Sequence, residues 1–172
     1  MGYLGKLNKN KGIEDLIDVY EKLLKKENFN KLEPNLLIGG VGSKNYISSI
    51  NKRISNKNIQ FLGYVEDRYN FFNSIKVFIF PSYSEGLGLV LLEAMSHGVL
   101  CITRDVTPMN SIINNGENGF LFKDNNELIE KIEKAINLNS SEKDKIVKSA
   151  LEKIEKSYSI MQMYLSIDKA YN

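Results

Sequence analysis

The chain is poor in two residue types that commonly bind metals or carry out nucleophilic chemistry: it has one cysteine and one histidine in 172 residues. The lone Cys101 excludes an internal disulfide. In the run VLCIT it reads as a buried strand position, and a reducing compartment, the cytoplasm, is expected. The lone His97, beside Gly98 at the end of an apolar helical stretch, reads as a cap or surface residue and not as a catalyst. Without a second histidine, a cysteine pair or clustered carboxylates, no metal site is expected. Ser82 and Ser84 find no histidine at an evident spacing for a nucleophilic triad. Charge of one sign is also scarce: 23 basic residues face 21 acidic ones, mixed along the chain, so no strong field draws nucleic acid. No apolar run approaches the ~18 residues of a membrane span and no basic-then-apolar leader opens the sequence, so neither a transmembrane segment nor a secretion signal is expected. No internal repeat and no linker rich in Pro, Gly or Ser divides the chain, whose length suits a single domain with one substantial core.

What the sequence does have is alternation. Short runs of Ile, Leu, Val and Phe alternate with helical patterns, which is the signature of strand-helix units around a parallel sheet. Strands are expected at residues 2–4, 35–38, 59–62, 77–80, 99–103 and 119–122, and helices at about 12–27, 43–54, 66–74, 87–97 and 107–114. VFIFP lacks polar alternation, as a central strand covered on both faces should, and Pro81 stops it. In GIEDLIDVYEKLLKK, residues Ile13, Leu16, Ile17, Tyr20, Leu23 and Leu24 recur at three- and four-residue spacing and form one apolar stripe. Additional helices follow from about residue 126: one aligns Leu128, Ile132 and Ile136, and the next, over 140–156, carries Ile146, Val147, Ala150, Leu151 and Ile154. A last short helix is expected in SIMQMYLSIDKAYN, where Met161, Met163, Tyr164 and Tyr171 could pack on this domain or on another. The opening MGYLGKL starts a strand almost at once, which leads us to expect that the chain is part of a larger architecture.

Open parallel sheets bind ligands at the carboxyl ends of their strands, so the loops there are the places to look. In PSYSEGLGLVLLEAMSHG, Gly86 and Gly88 leave backbone amides uncovered where a helix begins, and such amides together with the helix dipole favour a phosphate. Glu93 lies between LGLVLL and AM, and an unpaired carboxylate in so apolar a segment would cost several kcal/mol, so a lysine, a ligand hydroxyl pair or a backbone group must compensate it. If 85–93 were fully helical, Glu85 and Glu93 would lie about 12 Å apart along the axis at 1.5 Å per residue. That separation is too long for one metal ion or for a glycosidase pair within about 9.5 Å. It suits two contacts at opposite ends of an extended ligand. In GKLNKNKG, Lys6 and Lys11 flank the turn after the first strand and can approach the same anion, with Lys9 exposed between them. Gly39, Gly40 and Gly42 in LLIGGVGSKN fit neither a complete dinucleotide fingerprint nor a Walker loop, and read as glycines that let backbone come near a ligand.

Taken in order, GYLGKLNKNKG, PNLLIGGVG, IQFLGYVED, VFIFPSYSEGLGLVLLEAMSHGV and IINNGENGFLF resemble the C-terminal, nucleotide-sugar-binding domain of the retaining family 4 glycosyltransferases, a GT-B fold. The resemblance covers residues 2 to about 125 and implies a Rossmann-like parallel sheet with helices on both faces, one half of a GT-B molecule. It implies that Glu93 holds the ribose hydroxyls of the donor, that Glu85 meets the hydroxyls of the transferred sugar, and that Lys6 and Lys11 contact the diphosphate. The amides of Gly86, Leu87, Gly88 and Leu89 would receive phosphates and sugar, Gly5 and Gly40 would allow close backbone approach, and Val65 in FLGYVED would lie beside the base. Lys6, Lys11 and Glu85 carry the catalytic part of this implied set, with no metal and no cofactor beyond a UDP-, GDP- or ADP-linked sugar. The pattern departs from the family at Lys6, commonly arginine, at Val99, often proline, and at Ser111, often glutamate. The acceptor-binding domain that normally precedes this one is the implied partner, and a peripheral membrane acceptor at the inner face of the membrane fits a chain without a spanning segment. An epimerase that cleaves a nucleotide-sugar and a non-catalytic Rossmann-like interaction module remain the alternatives.

Overall fold

The computed structural model describes residues 1–32 and 34–158; the helix expected in SIMQMYLSIDKAYN, with Met161, Met163, Tyr164 and Tyr171, lies outside the described residues. Six parallel strands, β1 (Gly2–Leu4), β2 (Leu36–Gly39), β3 (Ile59–Gly63), β4 (Val77–Phe80), β5 (Leu100–Arg104) and β6 (Phe120–Phe122), form one sheet in the order β3-β2-β1-β4-β5-β6. Between and after them run α1 (Ile13–Leu24), α2 (Glu27–Asn30), α3 (Lys44–Asn51), α4 (Arg68–Ser74), α5 (Leu89–Ser96), α6 (Met109–Ile112), α7 (Asn125–Asn137) and α8 (Ser140–Tyr158). Helices cover both faces, with α1 packed on α7 and α5 packed on α8.

The apolar periods dictate this packing. Every residue of β4 and β5 is buried, as continuous hydrophobic runs in a doubly covered sheet must be. Helix α1 buries Ile13, Leu16, Ile17, Tyr20, Leu23 and Leu24 in one stripe, and adds Val19. Three details differ from the sequence pattern. In α7 the buried set is Leu128, Ile132 and Ala135, with Ile136 at its margin. In α8, Leu151 is 40 % exposed, because Ile146 and Ala150, four apart, already define the inward face. The helix expected over 107–114 shortens to the single turn of α6.

The strand order reverses between β1 and β4, the two strands whose crossovers leave in opposite directions, and such a reversal opens a crevice at the carboxyl ends. Only one residue pair, Gly2↔Phe78, joins β1 to β4, whereas β1 pairs with β2 at three positions. The loops after β1 and β4 leave from adjacent strands and are tied together above the sheet. There, the Tyr83 amide donates to the Asn10 carbonyl at 2.9 Å. Gly12 precedes α1 with φ 65°, and a Cβ on it would overlap the Pro81 carbonyl oxygen, so only glycine lets the start of α1 sit against the second loop.

Candidate functional site at the switch point

A cleft of about 510 Å³ lies between these two loops. Gly5, Lys6 and Lys11 form one wall, Glu85 and the loop Gly86–Leu89 the other, and Tyr3 and Phe80 the floor. These residues, from loops some 75 positions apart, meet here because β1 and β4 are neighbours. The first loop is stiffened from below. Gly5 donates its amide to the Gly39 carbonyl at 3.1 Å, Leu7 donates to Val41 at 2.8 Å, and the buried Tyr3 hydroxyl donates to the Lys6 carbonyl at 3.0 Å. Burial first, and the nearby Glu85 carboxylate second, push the Tyr3 phenol well above its ordinary range, so it stays a neutral donor.

Lys11 meets Glu85 across the cleft, Nζ to Oε1 at 2.7 Å, with both side chains largely shielded from water. The second wall ends at Gly88, the N-cap of α5, whose first free amides point out of the helix start. Gly86 has open space where a Cβ would be, and Leu87 and Leu89 stand 71 % and 66 % exposed, so nothing in the described chain covers this loop. An anion placed here would meet the amide end of α5 and two ammonium groups, Lys11 and the exposed Lys6.

Glu93 does not line the cleft, and it is not submerged in apolar surroundings. The expectation of a deeply buried carboxylate is corrected here: Leu91, Ala94 and Met95 take the inward face of α5, leaving Glu93 on a flank with its side chain 30 % exposed. Its compensating group is neither a lysine nor a backbone amide but Arg68, the first residue of α4, which forms an ion pair with it. His97 caps the helix end, its Nδ1 2.9 Å from the Glu93 carbonyl oxygen and its ring packed on Phe72 and Tyr69. Gly40 and Val65 sit on the β2 side of the site. A Cβ on Gly40 would overlap the Gly5 carbonyl oxygen, and Val65 packs over Gly39 beside Leu4. Both shape the floor of the first loop instead of reaching the cleft.

One network escaped the sequence reading. Arg104, the last residue of β5, is 6 % exposed and donates from Nε to the Pro81 carbonyl at 3.0 Å, from Nη1 to the Lys123 carbonyl at 3.0 Å and from Nη2 to Asp15 Oδ2 at 2.7 Å. Its guanidinium lies 4.0 Å from the centre of the Tyr83 ring, and the Tyr83 hydroxyl donates to the same Asp15 oxygen at 2.5 Å. That bond, ahead of burial, raises the Tyr83 pKa. The network ties the root of the glycine loop to α1 and to the loop after β6. A charge closing the apolar strand LCITR was the signal available for it. Among the described residues no three His, Cys, Asp or Glu side chains gather as a metal cluster, and no helix is long and apolar enough to cross a membrane.

Comparison with known proteins bears on the same arrangement. A family model described as glycosyl transferases group 1 matches residues 1–153. The capsular polysaccharide biosynthesis glycosyltransferase CapM of Staphylococcus aureus is 32 % identical over 176 residues, spanning 100 % of this chain and 45 % of that protein. Among solved structures, the C-terminal domain of the glycosyl transferase group 1 protein LpcC from Francisella tularensis superposes with a TM-score of 0.80 at 22 % identity, over 92 % of this chain and 85 % of that one. A variant of S. aureus TarM, solved with fondaparinux, α-GlcNAc-glycerol and UDP, gives 0.86 at 25 % identity, over 99 % of this chain and 35 % of that one. The chain thus spans less than half the length of CapM.

Proposed function

The chain belongs to the group 1 glycosyl transferases, with the parallel α/β sheet of one half of a GT-B-like fold, and from that premise we propose that it is the donor-binding half of a retaining, metal-independent enzyme that moves a hexose-type sugar from a nucleoside diphosphate to an acceptor hydroxyl. The observation that carries this reading is the convergence of Lys11, Lys6 and the uncovered Gly86–Leu89 loop on one cleft at the switch point of the sheet. A diphosphate lies across the amide end of α5, neutralised by the two lysines, which contribute as point charges and tolerate a change in ligand charge during reaction. Glu93, on the flank of α5, accepts the ribose hydroxyls. Glu85 accepts hydroxyls of the sugar. Val65 and Gly40 lie towards the base.

In the reaction the bond from the anomeric carbon to the diphosphate oxygen breaks, the acceptor oxygen bonds to that carbon on the same face, and the acceptor proton passes to an oxygen of the leaving phosphate. Lys6, Lys11 and the loop amides stabilise charge where it develops, on the departing diphosphate. The acceptor is supplied by a preceding domain that closes over the exposed Leu87 and Leu89. Aligning the acceptor and excluding water supply much of the barrier reduction, and half a cleft does neither, so this chain alone binds donor without multiple turnover.

Calorimetry with UDP, GDP and ADP tests the reading, UDP first because TarM was solved with it. One of the three is expected to bind between about 1 μM and 1 mM, that is at about −8 to −4 kcal/mol. Glu93→Gln is expected to weaken that ligand about tenfold, through loss of a charge-assisted bond. No heat from any of the three up to several millimolar would sink the proposal, and so would sugar transfer by this chain unaided.

A further inference from the structure

We infer that Tyr83, clasped by Arg104 and Asp15 on the outer side of the loop after β4, is a positioning residue that holds the glycine loop in place for a diphosphate, an inference that rests on the donor-binding reading above. The loop has few ties of its own. From Ser84 to Leu87 no backbone group makes a hydrogen bond among the described residues, Gly86 has open space where a Cβ would be, and Leu87 is exposed. Two residues hold this stretch. Inside the cleft, Glu85 pairs with Lys11. Outside it, Tyr83 makes three contacts at once: its amide donates to the Asn10 carbonyl, its hydroxyl donates to Asp15 Oδ2, and its ring lies against the Arg104 guanidinium.

The clasp has firm ends. Arg104 is buried at the end of β5 and holds the Pro81 and Lys123 carbonyls as well as Asp15. Asp15 stands in the first turn of α1, four residues after Lys11. Tyr83 is thereby fixed both to the helix whose start follows Lys11 and to the strand next to β4, so the clasp sets how the two walls of the cleft face each other. Tyr83 does not line that cleft. It faces a separate recess of about 400 Å³ with Asp15, Arg104, Lys123 and the start of α7. Its effect on a ligand between the lysines and the loop therefore passes through the loop.

The outer tie matters most once a ligand is present. A diphosphate competes with Glu85 for the Lys11 ammonium and loosens the inner tie, while the contacts of Tyr83 lie outside the cleft and persist. A loop already fixed from outside presents its amides without losing backbone freedom on binding. A loop free to move loses that freedom, and affinity falls with it. The ring–guanidinium contact and the hydroxyl–carboxylate bond are each modest at a half-exposed residue, but both act on the same side chain.

Because Tyr83 is 50 % exposed, it can be replaced without emptying the core. Tyr83→Ala removes ring and hydroxyl, and Tyr83→Phe removes only the bond to Asp15. Backbone amide relaxation of the ligand-free chain and calorimetric dissociation constants for UDP, GDP and ADP are measured for all three proteins, well below their melting temperatures. Order parameters at Ser84–Gly88 are expected near the rigid value of about 0.85 in the unaltered chain and below about 0.6 in Tyr83→Ala, with the sheet unchanged. The nucleotide that binds is expected to lose about tenfold in affinity in Tyr83→Ala and about threefold in Tyr83→Phe. A merely structural role would lower the melting temperature and leave loop order and affinity of the folded protein alone. Order and affinity both unchanged in Tyr83→Ala, or a change in one without the other, overturn the inference while leaving donor binding intact. Where Tyr83→Ala does not fold, Tyr83→Phe decides by the same two readouts. Absence of binding by the unaltered chain for all three nucleotides overturns the donor-binding reading and this inference with it.

Discussion

Replacing Arg104 by methionine removes one guanidinium and strands several groups at once. The carbonyls of Pro81 and Lys123 lose their donors, and Asp15, whose side chain is 22 % exposed, loses its cation. The Arg104 side chain is itself only 7 % exposed, so water does little to rescue the groups it leaves. Breaking a buried ion pair from one side costs about 3–5 kcal/mol, and methionine, which refills most of the volume, does not recover the hydrogen bonds. For a chain of this length each kcal/mol moves the melting temperature by about 2–4 °C, so a drop of about 6–20 °C is expected. Arg104→Lys keeps the charge but cannot serve three diverging acceptors and should fall between the two. Asp15→Asn, which retains a hydrogen-bond acceptor at a partly exposed position, should cost less than either. Calorimetric or circular-dichroism melting of the four proteins is the assay. A loss below about 1 kcal/mol in Arg104→Met, within the range of an exposed pair, would refute the claim that this residue anchors the root of the glycine loop.

Two further expectations follow from backbone and burial. Gly12→Ala forces a Cβ onto the Pro81 carbonyl at a left-handed φ of 65°, and should cost about 1–3 kcal/mol in urea unfolding while moving the loop after β4; full stability would show that α1 does not dock where described. Burial pushes the Cys101 thiol well above its ordinary pKa of about 8.5, so the native protein should resist a thiol reagent at pH 8, and labelling should track unfolding in denaturant. Because the shift is upward, the stability it contributes is complete below about pH 8.5 and declines as pH rises beyond it. Labelling of the native chain as fast as the unfolded one contradicts the burial.

The fold was readable because its signals are local. VFIFP is a continuous apolar run closed by proline, and the stripe of α1 repeats within two dozen residues, so neither needs knowledge of a distant partner. The cleft was readable in part, since Lys11, Glu85 and the glycine loop sit beside the strands that aim them. What was not legible lies in long-range pairings. Arg104 and Asp15 are 89 positions apart, and Arg68 and Glu93 are 25 apart across two elements. Glu93 was read as buried because its neighbours are apolar on both sides; the helical period sends those neighbours inward and turns Glu93 to the flank. Gly40 carried a ligand-approach reading, and the structure gives it a nearer obligation, the carbonyl of Gly5.

The central claim is that a nucleoside diphosphate occupies the crevice where the strand order reverses, on the amide end of α5. Amide chemical shifts of the labelled chain, followed during titration with UDP, GDP and ADP, test it residue by residue. Saturable shifts from at least one nucleotide are expected at Gly5, Lys6, Lys11 and the Gly86–Leu89 loop, with smaller ones about Val65 and Glu93, and none in the larger concavity at the opposite ends of the strands near Leu37, Val77 and Ala135. Saturable shifts centred on that opposite end, or a loop that stays silent up to several millimolar of all three, would contradict the account.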